Sequence, residues 1–84
     1  MAYVYILKTT AQKYYIGSTD HLEQRIQDHK TGRVRSTKYS LPVELVFKEY
    51  FPTRSGAQLK EYKIKRWKSR KMILLLIDYY KNQL

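Results

Sequence analysis

With 84 residues, the chain has room for one domain and a modest core, because a chain this short hides only roughly 60 to 65% of its unfolded surface. It contains no Cys, which excludes disulfide staples and thiolate metal sites and leaves packing as the source of stability. Its 17 Lys and Arg against 7 Asp and Glu give a formal charge of +10, a field that concentrates polyanions, and nine Tyr, two Phe and one Trp interleaved with those bases make nucleic acid the leading partner over a merely solvated basic surface.

Residues 1–7 lack the basic leader, long apolar run and small-residue site of a secretory signal, so a cytoplasmic protein is expected. Residues 2–8 are β-branched or aromatic and apolar on both faces, the pattern of a central strand. A polar turn over 9–12 leads to a second strand at 13–18, and the short connection predicts an antiparallel hairpin. Gly17 falls where backbone must bend or something must approach closely.

A helix is expected from about His21 to Thr31, with Asp20 as N-cap, Glu23 completing a capping box, and Gly32 as its stop. Residues 33–38 are basic and aperiodic, so they read as a loop, with Arg33, Arg35 and Lys38 as candidates to touch phosphate. Pro42 introduces a third strand over 43–50, closed by Pro52. Thr53 or Ser55 then caps a helix over about 54–67, and Ser69 caps a third over about 70–82. The run Met72–Ile77 is far shorter than the roughly 20 residues needed to span a bilayer and reads as a buried helix, so no membrane association is expected. The order β-β-α-β-α-α predicts a single α+β domain over 1–84: a three-stranded antiparallel sheet with three helices packed on it.

Within the first helix, positions 22, 25, 26 and 29 share a stripe, which puts Arg25 and His29 at the edge of the side carrying Leu22 and Ile26. Taken singly, each polar residue has a plain structural role. Arg25 can lay its stem over the core with its head in water, Glu61 can pair with Lys65 at i+4, and Tyr5 and Tyr15 can simply pack. A carboxylate near the Ala57–Ile64 stripe still needs a cation close by, whether a side chain or a metal. Lys65 also joins the candidate phosphate contacts of the basic 60–71 segment.

Taken together, Tyr3-Val4-Tyr5 followed by Tyr15-Ile16-Gly17 resembles the paired signature of the GIY-YIG nuclease domain. Arg25 and Glu61 fall where that family places its arginine and its metal-binding glutamate. The likeness runs from Tyr3 to about Lys71 and is closest to small stand-alone bacterial members, related to the nuclease domain of the nucleotide-excision repair endonuclease. Those members share a segment similar to Leu41–Val46 before the glutamate helix and one similar to Trp67–Arg70 after it. Tyr3 replaces the glycine of the first triplet, and the asparagine that many members carry beyond the glutamate helix has no counterpart before Asn82.

The resemblance implies an endonuclease that hydrolyses phosphodiester bonds in nucleic acid, with DNA favoured. It implies Glu61 as ligand to one Mg²⁺ or Mn²⁺, Arg25 on the phosphate, and Tyr5 or Tyr15 as base, with Tyr15 positioning water or phosphate where Tyr5 is the base. His29 is the rival or assistant base, since an unperturbed imidazole titrates near 6.5. A nucleic-acid-binding module without cleavage activity is the alternative. A protein partner or homodimer, docked through the helix around Leu74–Ile77, is compatible with either.

Overall fold

The computed structural model describes residues 2–35, 37–39 and 41–83. The elements run β1 (Ala2–Lys8), β2 (Tyr14–Thr19), α1 (Leu22–Lys30), β3 (Glu44–Phe51), α2 (Arg54–Trp67) and α3 (Arg70–Lys81), which is the expected order. The sheet order is β2-β1-β3 with both pairings antiparallel, so the strand that is apolar on both faces is the central one.

Alternation along β1 feeds two separate cores. Ala2, Val4 and Ile6 meet Ile16, Val46, Ala57, Ile64 and Ile77, a layer closed by α2 and α3. Tyr5 and Leu7 face the other way, toward Val43, Tyr15 and the Leu22–Ile26 stripe of α1. The helices thus cover both faces of the sheet, which is why β1 contains four consecutive buried residues from Val4 to Leu7.

The ends of α2 and α3 obey their sequence signals: Thr53 Oγ1 accepts the Gly56 N–H at 3.1 Å, and Ser69 Oγ accepts the Met72 N–H at 3.3 Å. Gly32 (φ 78°) ends α1 while the Arg33 N–H reaches back to the Asp28 carbonyl at 2.9 Å, a left-handed closure suited to glycine. The start of α1 departs from expectation. His21 occupies the N-cap position and no side chain caps the helix. Thr19 Oγ1 takes the His21 N–H at 3.0 Å instead, and the Asp20 carboxylate swings out to Arg54 at 3.3 Å, clipping α1 to the start of α2.

The expectation of a buried third helix also needs correction. Ile77 is buried and Ile73, Leu76 and Tyr80 pack on the core, but Met72, Leu74 and Leu75 are 43 to 55% exposed. The cause is width. α2 lies across β1 and β2, which leaves α3 chiefly β3 and the Tyr14 end of β2 to pack against, so one stripe of its apolar surface finds sheet to cover it. Among the described residues, no helix is long and apolar enough to cross a membrane.

Candidate active site

The β1–β2 register sets Tyr5 opposite Gly17 and Leu7 opposite Tyr15, which brings both phenols to the α1 face. The Tyr5 and Tyr15 ring centroids are 6.4 Å apart. His29, in the last turn of α1, closes the triangle at 5.7 Å from Tyr5 and 4.9 Å from Tyr15. Gly17 is required by this arrangement, since a Cβ there would stand 2.5 Å from the Tyr5 hydroxyl oxygen.

His29 is fully buried, and both ring nitrogens are engaged: Nε2 with the Tyr5 hydroxyl at 3.1 Å and Nδ1 with Thr37 Oγ1 at 2.8 Å. Burial, reinforced by the nearby Arg25 charge and only partly opposed by Asp28, lowers its pKa to about 4. The imidazole is therefore neutral at pH 7, with one nitrogen donating and the other accepting. It is enclosed by protein, so it acts on anything outside only through Tyr5. Thr37 carries no signal in the sequence because it sits in an aperiodic basic stretch, whose neighbouring Val34 is buried as well.

A cation such as Arg25 beside a phenol favours the phenolate and so works to lower the Tyr5 pKa. The net shift is upward: burial raises it, and the Arg25 guanidinium offsets this only in part. Tyr15 and Glu61 add smaller upward contributions. Arg25 itself is held more firmly protonated, chiefly by its interaction with Tyr5 and secondarily through Tyr15, so the guanidinium stands against both phenols.

Glu61 comes from α2, on the opposite layer, and meets β2 at Ser18, next to the Gly17 that lies opposite Tyr5. Its Oε1 accepts the Ser18 hydroxyl at 2.5 Å, one residue from Gly17, and its Oε2 meets Lys65 Nζ at 2.6 Å. The i+4 pair foreseen as a structural role thus exists, together with a contact to Ser18 that spacing alone does not show. Among the described residues, no group of three or more His, Cys, Asp and Glu could hold a metal. Glu61 is a lone hard-oxygen donor that already accommodates a cation, the Lys65 ammonium. This suits a divalent ion such as Mg²⁺ that keeps most of its waters.

Of the candidate phosphate contacts, Lys65 is committed to Glu61, whereas Arg33, Arg35 and Lys38 are exposed on the loop after α1. The Arg33 guanidinium lies 4.0 Å from Asp28 and the Lys38 ammonium 5.3 Å from the centre of the Tyr39 ring. Tyr39 is itself 87% exposed, so the pair presents an aromatic ring and a cation to solvent.

The profile of the GIY-YIG catalytic domain matches residues 1–73. The chain belongs to the GIY-YIG family. It is similar to the UPF0213 protein of Staphylococcus saprophyticus, 37% identical over 77 residues that cover 90% of this chain and 94% of that one. The UPF0213 protein of Clostridium perfringens is 43% identical over 67 residues, 79% of this chain and 72% of the other. The solution NMR structure of a UPF0213 protein from Bacillus halodurans superposes with a TM-score of 0.62 at 32% identity, covering 94% of this chain and 85% of that one. These names carry no activity, so it is GIY-YIG membership that brings the implication of endonuclease chemistry on nucleic acid. In this GIY-YIG domain the tyrosines of the two signature triplets lie side by side, with the α1 arginine against them.

Proposed function

We propose that this GIY-YIG domain is a divalent-metal-dependent endonuclease that hydrolyses phosphodiester bonds, with DNA the favoured polymer. What supports this reading is the Arg25 guanidinium set against the Tyr5 and Tyr15 phenols, with the Glu61 carboxylate held by Ser18, next to the Gly17 that lies opposite Tyr5. Packing alone would not require a guanidinium against two phenols beside an acid.

In this reading Glu61 holds Mg²⁺ or Mn²⁺, and the ion when bound supplies charge neutralisation at the scissile phosphate. Lys65 must release one carboxylate oxygen to make room. Arg25 presents its fork to a non-bridging phosphoryl oxygen and stays charged at every working pH. Tyr5 takes the proton of the attacking water as its phenolate, and Tyr15 orients that water or the phosphate. As the P–O bond to the leaving oxygen breaks, that oxygen leaves with a proton from solvent. His29 is a positioning residue in this scheme, holding the Tyr5 hydroxyl while Thr37 holds the imidazole. The exposed Arg33, Arg35 and Lys38 line the approach of the backbone.

A nicking assay on supercoiled DNA with Mg²⁺, wild type beside Glu61→Ala, tests the reading. Cleavage by the first alone is expected. The alternative, a binding module without cleavage, draws on the Glu61–Lys65 pair and on the burial that keeps Tyr5 protonated. Binding by both proteins with cleavage by neither would select it.

A further inference from the structure

A second basic surface lies away from the tyrosine cluster, between the β1–β2 turn and the α2–α3 junction. It is a groove of about 400 Å³ with Lys13, Lys65, Lys68 and Arg70 at its rim and Tyr14 and Ile73 among its walls. That volume is within the roughly 300 to 1,000 Å³ typical of small-molecule sites. Lys13, Lys68 and Arg70 are exposed, and none has an ion pair with a described residue. The Arg70 guanidinium lies over the Tyr14 ring, 5.6 Å from its centre, which makes a flat cationic platform at the mouth. The groove floor is apolar, built on Ile16 and Ile64 of the larger core.

The backbone around this groove is unusual. Gln12 (φ 61°) and Lys68 (φ 48°) are the two non-glycine residues with positive φ among those described, and both line it. Left-handed backbone disfavours side chains with a Cβ, and glycine is the usual occupant at the turn after a helix. At these positions an amide and an ammonium deliver polar groups to the rim that glycine would not.

We propose that this groove accepts a nucleotide of single-stranded nucleic acid. The base stacks on the Tyr14–Arg70 platform with its edge over Ile73, and the flanking phosphates lie on Lys13 and Lys68. Stacking tolerates any base, and cations along a groove follow a backbone without reading sequence. A duplex keeps its bases inside the stack, so this chemistry selects an unpaired strand. Lys65 borders both this groove and Glu61, which puts the bound nucleotide beside the proposed metal site. The proposal rests on nucleic acid being the partner, and it does not depend on cleavage.

The test is an NMR titration of the whole protein with a short oligothymidylate in EDTA, so that no cleavage takes place, with inorganic phosphate as the control. Upfield movement of the Tyr14 ring protons, with shifts at Lys13 and Lys68–Arg70, is the expected result. Phosphate alone should move the Lys68–Arg70 amides and leave the Tyr14 ring unmoved. Arg70→Ala, a change at an exposed position that removes half of the stacking platform, should weaken oligothymidylate binding about five- to tenfold, and Lys68→Ala should reduce the salt slope by about 0.7 for the lost phosphate contact. A Tyr14 ring unmoved at saturation, equal movement with inorganic phosphate, an Arg70→Ala protein with unchanged affinity, or a Lys68→Ala protein with unchanged slope overturns the proposal. Mg²⁺-dependent nicking alongside shifts confined to 33–39 would discard the groove and keep the nuclease; groove shifts without nicking would do the reverse.

Discussion

The Tyr5 hydroxyl occupies the space that any side chain at position 17 would need: a Cβ on Gly17 would lie 2.5 Å from its oxygen and 2.6 Å from the ring carbon that bears it. The demand is steric, since the Gly17 backbone is ordinary strand paired with Tyr5 itself. The ring is boxed in by Tyr15 and His29 and can yield only by giving up the His29 bond. Gly17→Ala should therefore destabilise the fold by about 1 to 3 kcal/mol, as overpacking does, and depress nicking well beyond the loss of folded protein. Urea denaturation beside a nicking assay at matched folded concentration checks this; an alanine variant with wild-type stability and rate contradicts it.

Because His29 is buried as the neutral imidazole, acid should unfold this protein through it. The sign follows from the two states. The folded pKa, about 4, lies below the unfolded value of 6.5, so the stabilisation is complete above about pH 6.5 and is lost as pH falls toward 4. Linkage puts the loss between pH 7 and 5 on the order of 2 kcal/mol. His29→Gln keeps polar groups for Tyr5 and Thr37 but cannot titrate. The difference between the two proteins' urea stabilities should narrow by that amount over this window, and parallel curves would show that His29 is not the acid-sensitive group.

The same two groups predict opposite pH–rate profiles. A Tyr5 phenolate base, with its pKa raised by burial, makes the nicking rate climb steadily from pH 7 toward 9 and beyond. A His29 base, already deprotonated above about pH 4, would give a plateau over that range. The climbing profile is expected in the wild type, and Tyr5→Phe should flatten it with a loss of about 100-fold or more, in the usual range for a general base.

How much of this was legible beforehand follows the range of the contacts. The hairpin, the central strand and the caps Thr53 and Ser69 are local signals, and each is realised as read. Tyr5 meets Tyr15 because strand pairing is itself local. The bond from Ser18 to Glu61 spans 43 residues and is set by how α2 lies on β2, so no spacing rule could show it. Thr37 on His29 depends on the path of a loop without periodicity. Asp20 does not cap α1, because Thr19 offers a competing acceptor one residue earlier, and the apolar run of α3 does not tell how much sheet is left to cover it.

Lys65 competes with any metal for Glu61. An exposed ion pair is worth roughly 0.2 to 1 kcal/mol, so Lys65→Ala should lower the Mg²⁺ concentration for half-maximal nicking about two- to fivefold. Substrate affinity should fall in the same variant if Lys65 also meets phosphate. Glu61→Gln should lose about 100-fold or more in rate and show no Mg²⁺ midpoint, consistent with the several kcal/mol a catalytic ion supplies. A Mg²⁺ titration of the three proteins separates these effects, and a Lys65→Ala midpoint higher than wild type would mean that Lys65 assists the metal site.

Lys68 offers a trade between stability and binding. Its left-handed backbone (φ 48°) sits at the end of α2, where glycine relieves the Cβ clash. Lys68→Gly should stabilise the protein by up to about 1 kcal/mol, and Lys68→Ala, which keeps the clash and loses the same charge, should not. Both should weaken binding of a short oligothymidylate to the same degree, because both remove the ammonium from the groove rim. Urea denaturation and fluorescence anisotropy on the pair measure the two effects separately. Weaker binding by Lys68→Ala alone would point to backbone placement at that turn, with no part for the charge.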